Sequence, residues 1–173
     1  MIKEQIIFSS DSGGFTREDL EVTSKISEDY FGTKKDPEQF PVCSESKEWM
    51  FTHQQCLNIM KSKGVPVGYS LMFPATTKLM NDFCDKEITE AELFESIKKF
   101  KQKPDALYLC ASIVEEKFRK QGLATTGFVK LIKNMVSQIK YCPVLFYWEY
   151  SEEGKKLAEK VAKITCLQLR ARD

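Results

Sequence analysis

The sequence has a single histidine, His53, and its six cysteines stand singly, with no Cys-x-x-Cys pair. These shortages exclude a metal site built from His and Cys ligands, and they exclude a disulfide framework. His53 is expected to be a surface or helix-capping residue. The cysteines are expected to be reduced thiols in the core: Cys43, Cys56, Cys84, Cys110, Cys142 and Cys166.

Long apolar runs and an excess of one charge are missing as well. No apolar stretch is long enough to cross a bilayer, and the N-terminus lacks the apolar core of a signal peptide. We therefore expect a cytoplasmic protein with no membrane partner. The net charge is +1, with Lys and Arg scattered among nearly as many acids, so the charge pattern predicts no nucleic-acid partner either.

Glycine is scarce, with eight in 173 residues, and the glycines form no nucleotide-binding pattern. The absence of Gly-Lys-Ser/Thr excludes a P-loop, and a dinucleotide fingerprint is excluded because the glycines are too few and no acidic residue follows at the right distance. The length and apolar fraction predict one domain over residues 1–173, as a monomer or a homodimer.

One short loop carries the strongest signal. It reads Arg119-Lys120-Gln121-Gly122-Leu123-Ala124 and joins a nearly continuous apolar run at 106–114 to the start of an amphipathic helix. Gly122 lets the backbone approach an anion closely, and Ala124 keeps the first helical turn free of bulk. The N–H groups of that turn point outward at the positive end of the helix dipole, beside the charges of Arg119 and Lys120. The loop therefore predicts a phosphate-binding site.

The spacing around this loop resembles a known family. Val114, then four residues, then Arg119 opening an Arg-x-x-Gly-x-Ala segment, is similar to the acyl-CoA-binding motif of the GCN5-related N-acetyltransferases. The resemblance implies a single α/β (α+β) domain with the acyl-CoA N-acyltransferase fold, in which a mixed central sheet carries helices on both faces.

Other segments agree with that order of elements along the whole chain. Thr16 is predicted to cap a first helix, and two apolar runs around Ser62-Lys63-Gly64 predict a hairpin. Thr89-Glu90-Ala91-Glu92 predicts a capping box, with a buried stripe continuing along its helix. In the resembled family the hairpin leads almost directly into the CoA-binding strand, so residues 76–103 are expected to be a helical insertion. Residues 164–169 are expected to close the sheet.

The resemblance also implies how the cofactor, acetyl-CoA, would bind. The strands at 106–114 and 144–150 would splay apart, and the pantetheine amides would pair with backbone groups in the gap. Backbone N–H groups near 111–113 would polarise the thioester carbonyl. The implied cofactor residues are Ser112, Ile113 and Val114 along the pantetheine and Arg119, Lys120, Gln121, Gly122, Leu123, Ala124 and Thr125 around the pyrophosphate.

The catalytic acid and base are less well marked. Many family members carry a tyrosine seven residues past an asparagine at the end of the splayed strand. With Ser151 at the asparagine position, Ala158 stands where that tyrosine would be. Tyr147, Tyr150 or Ser151 could replace it as the acid, and Tyr108 or Glu149 could act as the base. For each of these residues the alternative role is structural, either as an aromatic ring packed in the core or as a solvated carboxylate at the end of a strand.

The resemblance thus implies an enzyme that moves an acetyl group from acetyl-CoA to a primary amine by direct attack, with no covalent enzyme intermediate. The acceptor would be a small molecule or a peptide, and no catalytic metal is implied. One alternative is a non-catalytic acyl-CoA-binding or regulatory module, and another is an interaction domain whose loop only caps a helix.

Overall fold

A six-stranded mixed sheet organises the protein. The structure, a computed structural model, describes residues 4–31, 36–99 and 101–173. The strands lie in chain order, β1 to β6, with antiparallel pairing from β1 to β4 and parallel pairing from β4 to β6. Their bounds are Ile6–Phe8, Leu57–Ser62, Val65–Ala75, Ala106–Val114, Val144–Trp148 and Leu169–Arg172.

In the described ranges, six α-helices cover the two faces of this sheet. Helices α1 to α4 are Arg17–Phe31, Ser44–Thr52, Thr77–Cys84 and Glu90–Lys99, and they pack on one face over an aromatic-rich core. Helices α5 and α6, Leu123–Val136 and Glu152–Thr165, pack on the other face over a smaller apolar core. Since consecutive side chains of a strand point to opposite faces, β4 contributes Tyr108 to the first core and Leu107 and Leu109 to the second.

The helix starts predicted from the sequence are confirmed by their caps. The Thr16 side chain accepts from Asp19 N at 3.1 Å, and the Asp19 carboxylate accepts from Thr16 N at 2.9 Å. Thr89 and Glu92 make the same reciprocal pair of bonds at the start of α4. These boxes are local, so a few residues suffice to specify them.

The hairpin and the central strand are also confirmed. Strands β2 and β3 pair in an antiparallel register around Lys63 and Gly64, both of which have a positive φ. The strand β4 spans the predicted 106–114. The expected insertion is present as α3 and α4, which follow β3 on the sheet face that carries α1 and α2.

Two expectations were wrong in part, and one helix was not predicted. Residues 164–165 end α6 rather than beginning a strand, and the closing strand β6 is Leu169–Arg172, because Cys166 ends the helix in the left-handed region with φ 56°. Helix α2 was not foreseen. The cysteines are all free, but only some are core thiols: Cys56 and Cys84 are buried and Cys110 is partly so, whereas Cys43, Cys142 and Cys166 are exposed.

The inserted helices are held to the sheet by a buried arginine. Arg172 on β6 donates from Nη1 to the carbonyls of Phe83 at 2.8 Å and Ile88 at 2.6 Å. Its guanidinium also lies 4.5 Å from the centre of the Phe83 ring. Because Ile88 lies just before α4, this contact helps to fix where α4 begins on the sheet. Within the parts of the chain that the structure describes, no helix has the length and apolarity needed to span a membrane.

Candidate active site

The sheet opens between β4 and β5. The parallel pairing of these strands ends at Leu109 and Tyr147, whereas β4 continues to Val114. The register of β3 with β4 also shifts at this point, so that Cys110 is skipped between Leu109 and Ala111. Strand β5 itself ends at Trp148, one residue later, so the splay of the two strands stays a prediction. On the β5 side, the backbone of 110–114 is left without strand pairing and faces a gap.

The loop after β4 has the backbone geometry that an anion cradle requires, and anion binding there stays a prediction. Lys120 and Gly122 both have positive φ, 61° and 75°, and α5 begins at Leu123. The first helical bond runs from Thr126 N to Gly122 O at 2.9 Å, so the N–H groups of residues 123–125 point out of the end of the helix. A Cβ built on Gly122 meets nothing within 4 Å, which means that this position opens onto free space.

A groove of about 410 Å³ runs from this cradle along the open part of β4. Its far wall belongs to α6, with Glu153, Leu157 and Lys160. Arg119 donates from Nε to Val114 O at 2.9 Å, which ties the loop to the end of β4. Nine of the ten predicted cofactor residues line the groove: Ser112, Ile113, Val114, Arg119, Lys120, Gly122, Leu123, Ala124 and Thr125. Gln121 does not line it and is exposed to solvent.

The start of α5 lies very close to the sheet. A Cβ on Gly127 would come within 2.5 Å of Ser70 Oγ and 2.8 Å of Met60 Cε, so only glycine fits there without a shift. Ser70 Oγ also lies 2.9 Å from Ser112 Oγ and donates to Ala124 O at 3.3 Å. Ser112 thus has its side chain in the packing between sheet and helix, and only its backbone is left for the groove.

A second cavity lies on the opposite face of the sheet, under α1 and α4. Its volume is about 80 Å³ and its walls are mainly apolar and aromatic. Glu90, the first residue of α4, is only 7% exposed and lines this cavity. Its Oε1 accepts from Tyr108 Oη at 2.6 Å and lies 3.5 Å from Cys110 Sγ, and its Oε2 accepts from Phe40 N at 2.5 Å.

The surroundings of Glu90 change its acidity and that of its neighbours. Burial raises the pKa of Glu90 above the ordinary value of 4.5, although the hydrogen bonds and the charge of Arg172 act in the other direction. Burial and the nearby carboxylate raise the pKa of Tyr108 and of Cys110 well above their ordinary values. Of these three groups, Glu90 is therefore the one that ionises first as pH rises.

The predicted base Tyr108 does not fit that role. Its hydroxyl donates to Glu90, and its raised pKa keeps the phenol protonated near neutral pH. Glu149 lies by α6, where its carboxylate accepts from Lys155 at 3.0 Å and from Tyr147 Oη at 3.4 Å, and it lines neither the groove nor the cavity. Tyr147 is buried in the core beneath α5 and α6.

The two remaining predicted residues differ in what their hydroxyls do. Ser151 Oγ accepts from Gly154 N at 3.0 Å and caps α6. Tyr150 is 58% exposed at the outer end of the cavity, where its hydroxyl accepts from Gln39 Nε2 at 3.2 Å. Ala158 is buried between α6 and the sheet, so this position supplies no hydroxyl.

His53 is a capping residue, as predicted. It ends α2, its Nδ1 lies 2.8 Å from Trp49 O, and its ring stacks on that of Trp49. In the described ranges, no three His, Cys, Asp or Glu side chains are grouped as metal ligands would be.

Glu90 is the site residue that sequence reasoning missed, because it was assigned only to a capping box. A usable signal was present in the sequence. Glu90 stands three, four and seven residues before Leu93, Phe94 and Ile97, which are the buried residues of α4. A carboxylate in the buried stripe of a helix needs a partner, so its position predicts either a buried pair or a site.

No protein-family model matches the sequence, and no curated protein matches it. Solved structures do resemble the fold. Arabidopsis thaliana NAA60 in complex with acetyl-CoA has a TM-score of 0.56 at 17% identity, with 91% of this chain and 86% of that chain covered. Aminoglycoside N-acetyltransferase AAC(6')-Iy in complex with CoA has a TM-score of 0.55 at 12% identity, with 95% and 89% covered. An N-acetyltransferase from Staphylococcus aureus Mu50 has a TM-score of 0.55 at 13% identity, with 90% and 81% covered. The chain therefore has the fold of the GCN5-related N-acetyltransferases.

Proposed function

We propose that this protein transfers an acetyl group from acetyl-CoA to a primary amine by direct attack, without a covalent enzyme intermediate. One observation carries the proposal: the groove and the cavity, on opposite faces of the sheet, are lined by adjacent residues of β4. Ser112 lines the groove and Ala111 lines the cavity, next to the point where β4 and β5 separate. A cofactor in the groove would thus bring its reactive end close to the cavity, which would hold the acceptor.

The groove suits CoA in shape and charge. The three N–H groups at the start of α5 would bind the pyrophosphate, with Arg119 and Lys120 adjacent. The backbone of residues 112–114 would pair with the pantetheine amides, since β5 leaves it unpaired. Two proteins of the same fold have been crystallised with acetyl-CoA or CoA, which supports this assignment.

Catalysis needs a polarised carbonyl and a proton for the departing thiolate. We assign the first task to backbone N–H groups of residues 111–113, beside the irregularity at Cys110. For the second we keep Tyr150, whose hydroxyl accepts from Gln39 and so can still donate its own proton. Ser151 is the weaker candidate because its oxygen already caps α6.

Two measurements on the wild-type protein test the proposal. Calorimetry with CoA should give saturable binding, and thiol release from acetyl-CoA should accelerate with at least one amine of a panel. Absence of CoA binding would refute the assignment altogether. Binding without transfer to any amine would refute the enzymatic role and support a non-catalytic acyl-CoA-binding module.

The proposal also keeps three expectations that come from the sequence: a single domain over residues 1–173, a cytoplasmic location and no nucleic-acid partner. Cell fractionation and sizing of the purified protein check the location and the choice between monomer and homodimer.

A further inference from the structure

We infer that the acceptor is a small, singly charged primary amine on an apolar body, and that Glu90 on the inserted helix α4 binds its ammonium group and takes its proton. This inference rests on the proposed function and deepens it. It names the acceptor class and a catalytic base that the sequence did not reveal.

The size of the cavity limits the acceptor. A water molecule needs a cavity volume of about 10–15 Å³. The cavity of about 80 Å³ therefore accommodates on the order of five to eight non-hydrogen atoms. Isopentylamine and benzylamine fall in this range, whereas a spermidine or an aminoglycoside is larger.

The lining favours an apolar body. Leu20 of α1, Leu57 of β2 and Leu71 of β3 face the cavity, and Phe40 and Trp148 add aromatic surface. All but Trp148 are buried. Apolar contacts of this kind stabilise a bound alkyl or aryl group by about 25 cal/mol for each Å² of apolar surface removed from water.

The polar end of the cavity contains one carboxylate. No Lys, Arg or His is found among the lining residues that the structure describes. The titratable or charged groups around Glu90 are Tyr108 and Cys110 on β4, Tyr69 on β3 and Arg172 on β6. One ammonium group would be balanced by Glu90. A second ammonium group would be desolvated without a partner, and so would a carboxylate of an amino acid.

The outer end of the cavity favours a free small molecule over a peptide. Tyr150 and Gln39 are joined by a hydrogen bond. The rings of Tyr150 and Phe31 also meet edge-on, with their centres 6.5 Å apart. All three residues line the cavity. For the ammonium group of a peptide lysine to reach Glu90, the main chain of the peptide would have to approach the outer end of the cavity. This approach would displace the contacts of Tyr150.

The position of Glu90 suits proton transfer. Its carboxylate lies beside Cys110, the residue of β4 that precedes the junction with the groove. The ammonium proton passes to Glu90, and the neutral nitrogen attacks the acetyl carbonyl carbon. The C–N bond forms and the C–S bond breaks, and the thiolate takes a proton from Tyr150, which recovers it from water. The second amine proton and the proton on Glu90 pass to solvent, so one proton is released per turnover.

The raised pKa of Glu90 makes its carboxylate a stronger base than that of an exposed glutamate, which favours uptake of the ammonium proton. As pH rises through that pKa, Glu90 loses its proton and activity should increase. Tyr108 and Cys110 stay protonated over the same interval.

The test compares E90Q with E92Q on the same helix. Gln at 90 can still accept from Phe40 N while its amide group donates to Tyr108 Oη, so the fold should survive. Gln at the exposed Glu92 keeps an acceptor for Thr89 N and serves as the control. With benzylamine, E90Q should lower kcat about a hundredfold or more and lose the rise of activity with pH. CoA affinity should stay the same in both variants.

A second variant tests the size of the cavity without touching Glu90. S27L places a larger side chain in the lining from the partly buried Ser27 of α1. It should raise KM for benzylamine at least tenfold, with a smaller effect on ethylamine and none on CoA affinity.

The outcomes separate the two proposals. Failure to bind CoA refutes the proposed function itself. If CoA binds but spermidine, a lysine peptide or kanamycin is acetylated with a higher kcat/KM than benzylamine and isopentylamine, the acceptor class is wrong. If E90Q keeps the wild-type kcat and pH profile, Glu90 is not the base.

Discussion

The substitution G122E gives the sharpest test of the phosphate cradle. Gly122 has φ 75°, and a Cβ added there points into open space at the start of α5. The new side chain would therefore occupy the position where the pyrophosphate is proposed to bind, and its negative charge would oppose the anion. The protein itself has room for the side chain, so the main structural cost is backbone strain.

The two costs can be estimated separately. A residue other than glycine in the left-handed region costs about 1–2 kcal/mol, which lowers Tm by roughly 2–4 °C per kcal/mol for a protein of this size. Loss of two charge-assisted hydrogen bonds to phosphate costs about 1.5–3 kcal/mol each. The resulting loss of about 3–6 kcal/mol corresponds to a weakening of CoA binding of roughly a hundredfold to ten-thousandfold.

Gly64 supplies a matched control. It lies in the turn between β2 and β3 with φ 82°, and a Cβ there also meets nothing within 4 Å. G64E should thus share the backbone strain and the loss of Tm but keep wild-type CoA affinity. Calorimetry with CoA and a thermal melt of both variants make the comparison. Equal CoA affinities for G122E and G64E would refute the reasoning.

Three further predictions concern other parts of the site. R119A should weaken CoA binding about tenfold or more, with a smaller effect on a pantetheine fragment lacking phosphate; equal losses by calorimetry would show that Arg119 acts only through the fold. Y150F should lower kcat with little change in CoA affinity, whereas S151A should cost about 1 kcal/mol of stability through the lost cap and leave kcat nearly unchanged; the reverse pattern in steady-state kinetics would assign the acid to Ser151. For Glu90, the folded-state pKa is raised, so the folded protein holds this proton more tightly than the unfolded chain, and stability falls as pH rises from about 4.5 to the folded-state pKa. E90Q should remove this pH dependence. The free energy of unfolding of E90Q relative to wild type should therefore increase as pH rises over the same interval; parallel pH profiles of the two proteins in urea unfolding would contradict this.

Much of the fold could be predicted because its signals are local. The apolar run of β4, the loop at Arg119 and the capping boxes at Thr16 and Thr89 each depend on fewer than ten consecutive residues. In the capping boxes, the side chains bond to the backbone of the same segment, so distant segments do not alter them. Ile164 shows where local signals fail: a β-branched residue favours a strand, but α6 continues through it to Thr165, although its side chain is exposed.

The sequence by itself determined the loop of the proposed cradle and the order of elements, whereas the proposed acceptor cavity was decided only by the tertiary structure. Glu90 meets Phe40 from 50 residues away and Tyr108 from 18 residues away. Phe40 lies in a loop, Glu90 on a helix and Tyr108 on a strand, and the sequence of each segment alone is compatible with other roles. Arg172 at the end of the chain joins the turn before α4 across more than 80 residues. Because burial and hydrogen bonding set the chemistry of Glu90, its role follows only once these distant segments pack together.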